Sequence, residues 1–146
     1  MDLISQAEEY ITHLFQNALT PDVYTYHNLN HTKGVVESVK KMSKHENISY
    51  EDTEKLLLAA WFHDLGYIVS CQNHENHSVE EFKKWAQSKL DSKIIAEISE
   101  LILATQIKHI PENKLESILK DADYYHFALA DYPSFSENLR LEIKSS

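Results

Sequence analysis

The chain has 146 residues, which suits one hydrophobic core, and we expect a single domain over residues 1–146. Its formal net charge is −9 with one arginine, Arg140, which argues against a surface that coats nucleic acid. The single cysteine, Cys71, excludes an intrachain disulfide, and neither a basic leader nor a membrane-length apolar run is visible. We therefore expect a cytoplasmic protein that does not associate with membranes.

The predicted elements are helices, because the whole chain contains only two glycines and three prolines. Apolar residues recur at helical spacing in six segments. In chain order these lie at residues 3–18, 35–42, 56–63, 79–86, 94–104 and 115–122. Ser49 and Asp91 are expected to cap the third and fifth helices, and residues 24–30, 70–76 and 108–113 to form loops. The sequence thus predicts an all-α, single-domain bundle of about six helices.

A His-Asp pair, His63-Asp64, ends the most hydrophobic of these segments. Ionisable side chains are seldom buried unless they are paired or bind a metal. Candidate partners are His31, which follows the Tyr- and Asn-rich segment 24–30 at the start of the second helix, and Asp123, on the last helix. Two imidazoles and two carboxylates suit one divalent ion, which could be Mn²⁺, Fe²⁺, Ni²⁺, Co²⁺, Zn²⁺ or Mg²⁺.

Helical spacing distinguishes the more suitable metal ligand in two pairs of neighbouring residues. Asp123 shares a helical row with Leu115 and Leu119, whereas Asp121 lies roughly on the opposite face. We therefore expect Asp123 to point inward as a ligand and Asp121 to act structurally. His31 is preferred to His27 because it lies further inside the predicted helix.

The order and spacing of these motifs resemble the HD superfamily of metal-dependent phosphohydrolases, which is named for its His…His-Asp…Asp ligands. Residues 26–32 resemble its first histidine motif, residues 62–67 its doublet and residues 121–123 its final motif. The resemblance implies an HD-domain-like fold with His31, His63, Asp64 and Asp123 as the metal ligands. Residues 73–78 resemble a His-Glu-x-x-Ser element of one subgroup. This implies that Asp64, or His74 and Glu75, orient or deprotonate the attacking water.

The leading functional hypothesis is a phosphohydrolase whose partner is a small phosphorylated substrate, either a nucleotide or another phosphate ester. One alternative is a dinuclear site with oxygenase-type chemistry, to which His74 or His77, together with His109, would contribute. A second alternative is a non-catalytic, metal-stabilised binding or regulatory module, in which Tyr124 and Tyr125 block the pocket. The sequence leaves the substrate, the native metal and the oligomeric state open.

Overall fold

The computed structural model describes residues 2–16, 29–65, 74–106 and 109–129. These residues contain no strand and form six helices, as predicted: α1 (Leu3–Gln16), α2 (Leu29–His45), α3 (Tyr50–Phe62), α4 (His74–Ala86), α5 (Ser92–Leu103) and α6 (Lys114–Leu129). None of the described helices combines the length and the apolar character needed to cross a membrane. His27, Cys71 and the predicted end of the first helix lie outside the described residues.

Two helices begin earlier than the sequence predicts. Residues 29–30 belong to α2 and residues 74–76 to α4, although both stretches are predicted as loops. Neither stretch carries an apolar repeat at helical spacing, because the first turn of a helix has no need of one. Glu75 also favours helix formation there, since a carboxylate in the first turn interacts well with the helix dipole.

Side-chain caps fix the starts of four helices, and at α1 Asp2 Oδ1 accepts a hydrogen bond from the Ser5 N–H at 2.7 Å. Ser49 Oγ accepts a hydrogen bond from the Asp52 N–H at 3.1 Å, and Asp91 Oδ1 accepts one from the Ile94 N–H at 2.9 Å. At α6, Asn113 Oδ1 accepts from the Glu116 N–H at 2.9 Å. Each cap satisfies a backbone donor that the helix itself cannot pair.

The centre of the core is α3, in which every residue from Leu56 to Phe62 is buried. A helix that is apolar on all sides must be surrounded, and α3 packs against α1, α2, α4, α5 and α6. At its end, Phe62 lies in an aromatic cluster, with ring centroids 5.2 Å from Phe82 and from Trp85 and 6.1 Å from Tyr10. This packing holds the carboxyl end of α3 inside the bundle.

The packing of α2 against both α3 and α6 positions the candidate site. It brings the first turns of α2, which carry His31, close to the second half of α6, which carries Asp123. Both meet the residues that directly follow α3. Three segments that are distant in the sequence therefore converge at one end of the central helix.

Candidate metal centre

The His63-Asp64 pair is buried where α3 ends, and both side chains are at most 2% exposed. His63 Nδ1 lies 2.6 Å from the carbonyl oxygen of Ala60, in the last turn of α3. Because a carbonyl only accepts hydrogen bonds, Nδ1 must carry a proton, and the lone pair of the neutral ring then lies on Nε2. His63 Nε2 is buried and has no hydrogen-bond partner. A buried nitrogen that has a lone pair and no hydrogen-bond partner is suited to bind a metal ion.

Three other ionisable side chains converge on this nitrogen. His31 Nε2 lies 2.7 Å from Asp123 Oδ1, and Asp64 Oδ2 lies 3.4 Å from His31 Nε2 and 3.2 Å from His63 Nε2. Donor atoms of His31, His63 and Asp123 all lie within 4.8 Å of one another. Two imidazoles and two carboxylates at these separations form a donor set that suits a divalent ion.

The charges of these groups stabilise one another. Burial by itself lowers the pKa of His63, but the Asp64 and Asp123 carboxylates raise that pKa well above 6.5. Burial likewise raises the pKa of Asp123, but the hydrogen bond with His31 and the nearby His63 ring outweigh it and hold that pKa well below 3.8. Asp123 is therefore an ionised carboxylate at neutral pH. Two carboxylates of this kind would balance the double charge of an ion.

The two aspartates of α6 occupy different environments, in agreement with the helical rows. Asp123 turns toward His31 and its side chain is 23% exposed. Asp121 is exposed and lines a separate surface groove with Lys41 and His45 of α2. Of the two, Asp123 alone lies at the cluster.

Comparison with known proteins identifies the family. The HD domain family matches residues 28–128, a range that includes all four converging residues. The chain belongs to the HD domain family. The HD domain is also similar in fold to the solved structure of a predicted HD superfamily hydrolase from an uncultured Thermotogales bacterium. The two share 18% sequence identity with a TM-score of 0.69, over 94% of this chain and 74% of that chain. No curated protein matches the sequence.

The first turns of α4 place Glu75 beside the cluster of this HD domain. Ser78 Oγ donates a hydrogen bond to the His63 carbonyl oxygen at 2.9 Å, and Ser78 is fully buried. This bond connects α4 to the end of α3. Burial raises the pKa of Glu75, and the nearby negative charges of Asp64 and Asp123 raise it further. His74 is the first residue of α4, and its part in the chemistry stays a prediction.

The other histidines considered for a second metal have different partners. His109 Nε2 lies 2.6 Å from Glu116 Oε1, and His77 Nδ1 lies 3.9 Å from Glu80 Oε2 on the same helix. Within the described part of the chain, the one cluster of His, Cys, Asp or Glu able to hold a metal contains neither residue. The described geometry therefore gives the dinuclear hypothesis no support.

Lys120, a buried lysine on α6, is not among the residues that the sequence predicts at the site. Its ammonium donates a hydrogen bond to the Gln106 carbonyl oxygen at 2.7 Å. Glu116 and Lys120 are four residues apart, which is the spacing of an ordinary ion pair on an exposed helix face. The sequence pattern therefore does not predict that Lys120 is buried. Lys120 could have been found from its position three residues before Asp123, which places it on the same side of α6.

Proposed function

We propose that this HD-domain protein is a metal-dependent phosphohydrolase that hydrolyses a nucleotide or another small phosphate ester. One observation carries the proposal. Four potential ligands from three segments meet around a buried His63 Nε2 that has no hydrogen-bond partner. Membership of the HD domain family supports it, since the matched range contains all four residues.

We infer that His31, His63, Asp64 and Asp123 hold one divalent ion. The hydrogen bond from His63 Nδ1 to Ala60 fixes the ring so that Nε2 faces the other three groups. When bound, the ion supplies Lewis-acid activation of water and of a phosphoryl oxygen. Mn²⁺, Fe²⁺, Ni²⁺, Co²⁺, Zn²⁺ and Mg²⁺ are the candidates to be compared.

Glu75 is the proposed general base, and Asp64 and His74 are proposed to orient the water. As the water oxygen forms a bond to phosphorus, Glu75 accepts a proton from it. The bond between phosphorus and the ester oxygen breaks, and the leaving oxygen takes a proton from solvent. A carboxylate whose pKa is raised by burial is a stronger base than an exposed one and suits this proton transfer.

A panel of nucleotides and other phosphate esters, assayed with metal-stripped protein to which each metal is returned, tests the function. We expect phosphate or pyrophosphate release with at least one metal and none in the presence of a chelator. Asp64→Ala should lower the rate by at least about 100-fold, because its carboxylate lies among the ligands. Glu51→Ala, which changes an exposed acid on α3, is the matched control and should keep full activity.

A folded, metal-loaded protein that is inert across the panel would contradict this proposal. That outcome would favour the non-catalytic binding module instead.

A further inference from the structure

Lys120 is an unusual lysine in this protein because it is buried. Lys55 is half-buried and paired with Glu97, and the remaining described lysines are exposed. Burying an ammonium group is costly unless it is paired. The interactions and the role of this buried ammonium therefore need an explanation.

The surroundings of Lys120 hold its ammonium in place. One of its three N–H donors is used by the Gln106 carbonyl oxygen, at 2.7 Å. Glu116 lies one turn earlier on α6 and attracts the ammonium. Glu116 is itself fixed, because its Oε1 accepts from the Glu112 N–H at 3.0 Å and lies 2.6 Å from His109 Nε2.

The same ammonium is within electrostatic range of the candidate metal centre. Lys120 and Asp123 are three residues apart on α6, a spacing that places their side chains side by side. Burial lowers the pKa of Lys120, while the negative charges of Asp123, Glu116 and Glu75 oppose that effect. Lys120 is thus close to both a proposed metal ligand and the proposed base.

We propose that Lys120 binds the reacting phosphoryl group of the substrate through a non-bridging oxygen, an inference that rests on the proposed phosphohydrolase function. Two carboxylate ligands neutralise a divalent ion, so the metal and its ligands together carry no net charge to offset a phosphate dianion. Lys120 adds a positive charge that Glu116 offsets only in part, because the Glu112 N–H and His109 also bind that carboxylate. Two of the Lys120 N–H donors are free of bonds to the described residues. The site should therefore prefer a phosphate monoester, which has an extra anionic oxygen, to a diester.

Inorganic phosphate is the probe for a test that does not depend on turnover. Its binding to the metal-loaded protein is measured by calorimetry for the wild type, for Lys120→Gln and for Lys114→Gln. Lys114 is an exposed lysine on the same helix and serves as the matched control. We expect Lys120→Gln to weaken phosphate binding by at least about tenfold, since a charged hydrogen bond is lost, with metal affinity close to wild type. Lys114→Gln should bind phosphate normally.

Steady-state kinetics give a second readout. In Lys120→Gln, KM for a monoester should rise and the preference for monoester over diester should shrink. Unchanged phosphate affinity and unchanged KM in a folded Lys120→Gln variant would overturn the inference while leaving the proposed function intact. A wild-type protein that is inert toward every phosphate ester would instead defeat the proposed function itself.

Two further variants separate substrate binding from a structural role at Gln106. Lys120→Met keeps an unbranched apolar side chain without the charge, so its phosphate affinity should fall as in Lys120→Gln. Lys120→Arg keeps the charge and should retain part of the phosphate affinity. If all three variants failed to fold, including the charged Arg variant, Lys120 would be a structural residue and the proposal would be wrong.

Discussion

The orientation of His63 is set by a backbone group of its own helix. The last carbonyl groups of a helix have no hydrogen-bond partner within that helix. The Ala60 carbonyl oxygen can therefore accept a hydrogen bond from His63 Nδ1. Formation of α3 therefore orients the imidazole before any ion arrives. Ligands that are held in advance lose less freedom on binding, which favours tight association.

Metal affinity should distinguish the two aspartates of α6. Asp123→Asn removes a negative charge from the cluster and should weaken binding of Mn²⁺ or Zn²⁺ by at least about 100-fold. Asp121→Asn changes an exposed side chain and should leave affinity near the wild-type value. Calorimetric titration of both variants makes the comparison. Loss of the metal in Asp121→Asn, with retention in Asp123→Asn, would contradict the assignment.

Glu75 should control the rate and its pH dependence without controlling metal content. Glu75→Gln cannot accept a proton, so kcat should fall by about 10²–10⁴-fold while the protein keeps its ion. Because the base acts when ionised, wild-type activity should rise as the pH increases through the raised pKa of Glu75, and the variant should lose this rise.

The matched control for this measurement is Glu80→Gln, an exposed acid on the same helix. A pH–rate profile recorded for all three proteins provides the comparison. If Glu75→Gln kept the wild-type rate and profile, another group would have to be the base.

At the scale of the element, the start of α6 depends on Glu116. Its carboxylate binds the Glu112 N–H, and its own N–H binds Asn113 Oδ1. Burial raises the pKa of Glu116, but the hydrogen bond from the Glu112 N–H and the neighbouring His109 and Lys120 lower it below 4.5 overall. A lowered pKa stabilises the folded state fully above pH 4.5, and this stabilisation is lost as the pH falls toward the pKa of the folded state.

Glu116→Gln should therefore lower the free energy of unfolding by about 1–3 kcal/mol at neutral pH. It should also reduce the loss of stability on acidification below pH 4.5. Urea unfolding at a series of pH values measures both effects, with the exposed Glu112→Gln as control. Equal stability of Glu116→Gln and the wild type at neutral pH would show that the network contributes little.

The elements also show what the sequence could and could not predict. The run from Leu56 to Phe62 predicts a buried α3, and the caps at Ser49 and Asp91 follow from local patterns. The early start of α4 could not be seen, because a polar first turn resembles a loop. Periodicity also gave no sign of the pair between His109 and Glu116, since it joins a non-helical segment to a helix.

Across the whole molecule, an ion at the candidate centre would connect α2, α6 and the end of α3. Binding to the folded state alone should raise the free energy of unfolding by about 2.7 kcal/mol when the free ion is at 100 times its Kd. Thermal unfolding with and without a chelator should show this shift, and Asp64→Ala should lose most of it.

Elemental analysis should find about one ion per chain. Two ions per chain, with one lost on His109→Ala, would support the dinuclear hypothesis. A melting temperature that does not respond to any of the candidate metals would argue against the centre.

The four converging side chains are unequally exposed in the described part of the chain. His31, His63 and Asp64 are each at most 2% exposed, whereas Asp123 is 23% exposed. Within the described residues, an ion, a chelator and a substrate would therefore meet the cluster by the route on its Asp123 side. A bound phosphate would obstruct that route and slow the removal of the ion by a chelator. Product would then leave before the ion could, and the protein would keep its ion through successive rounds of turnover.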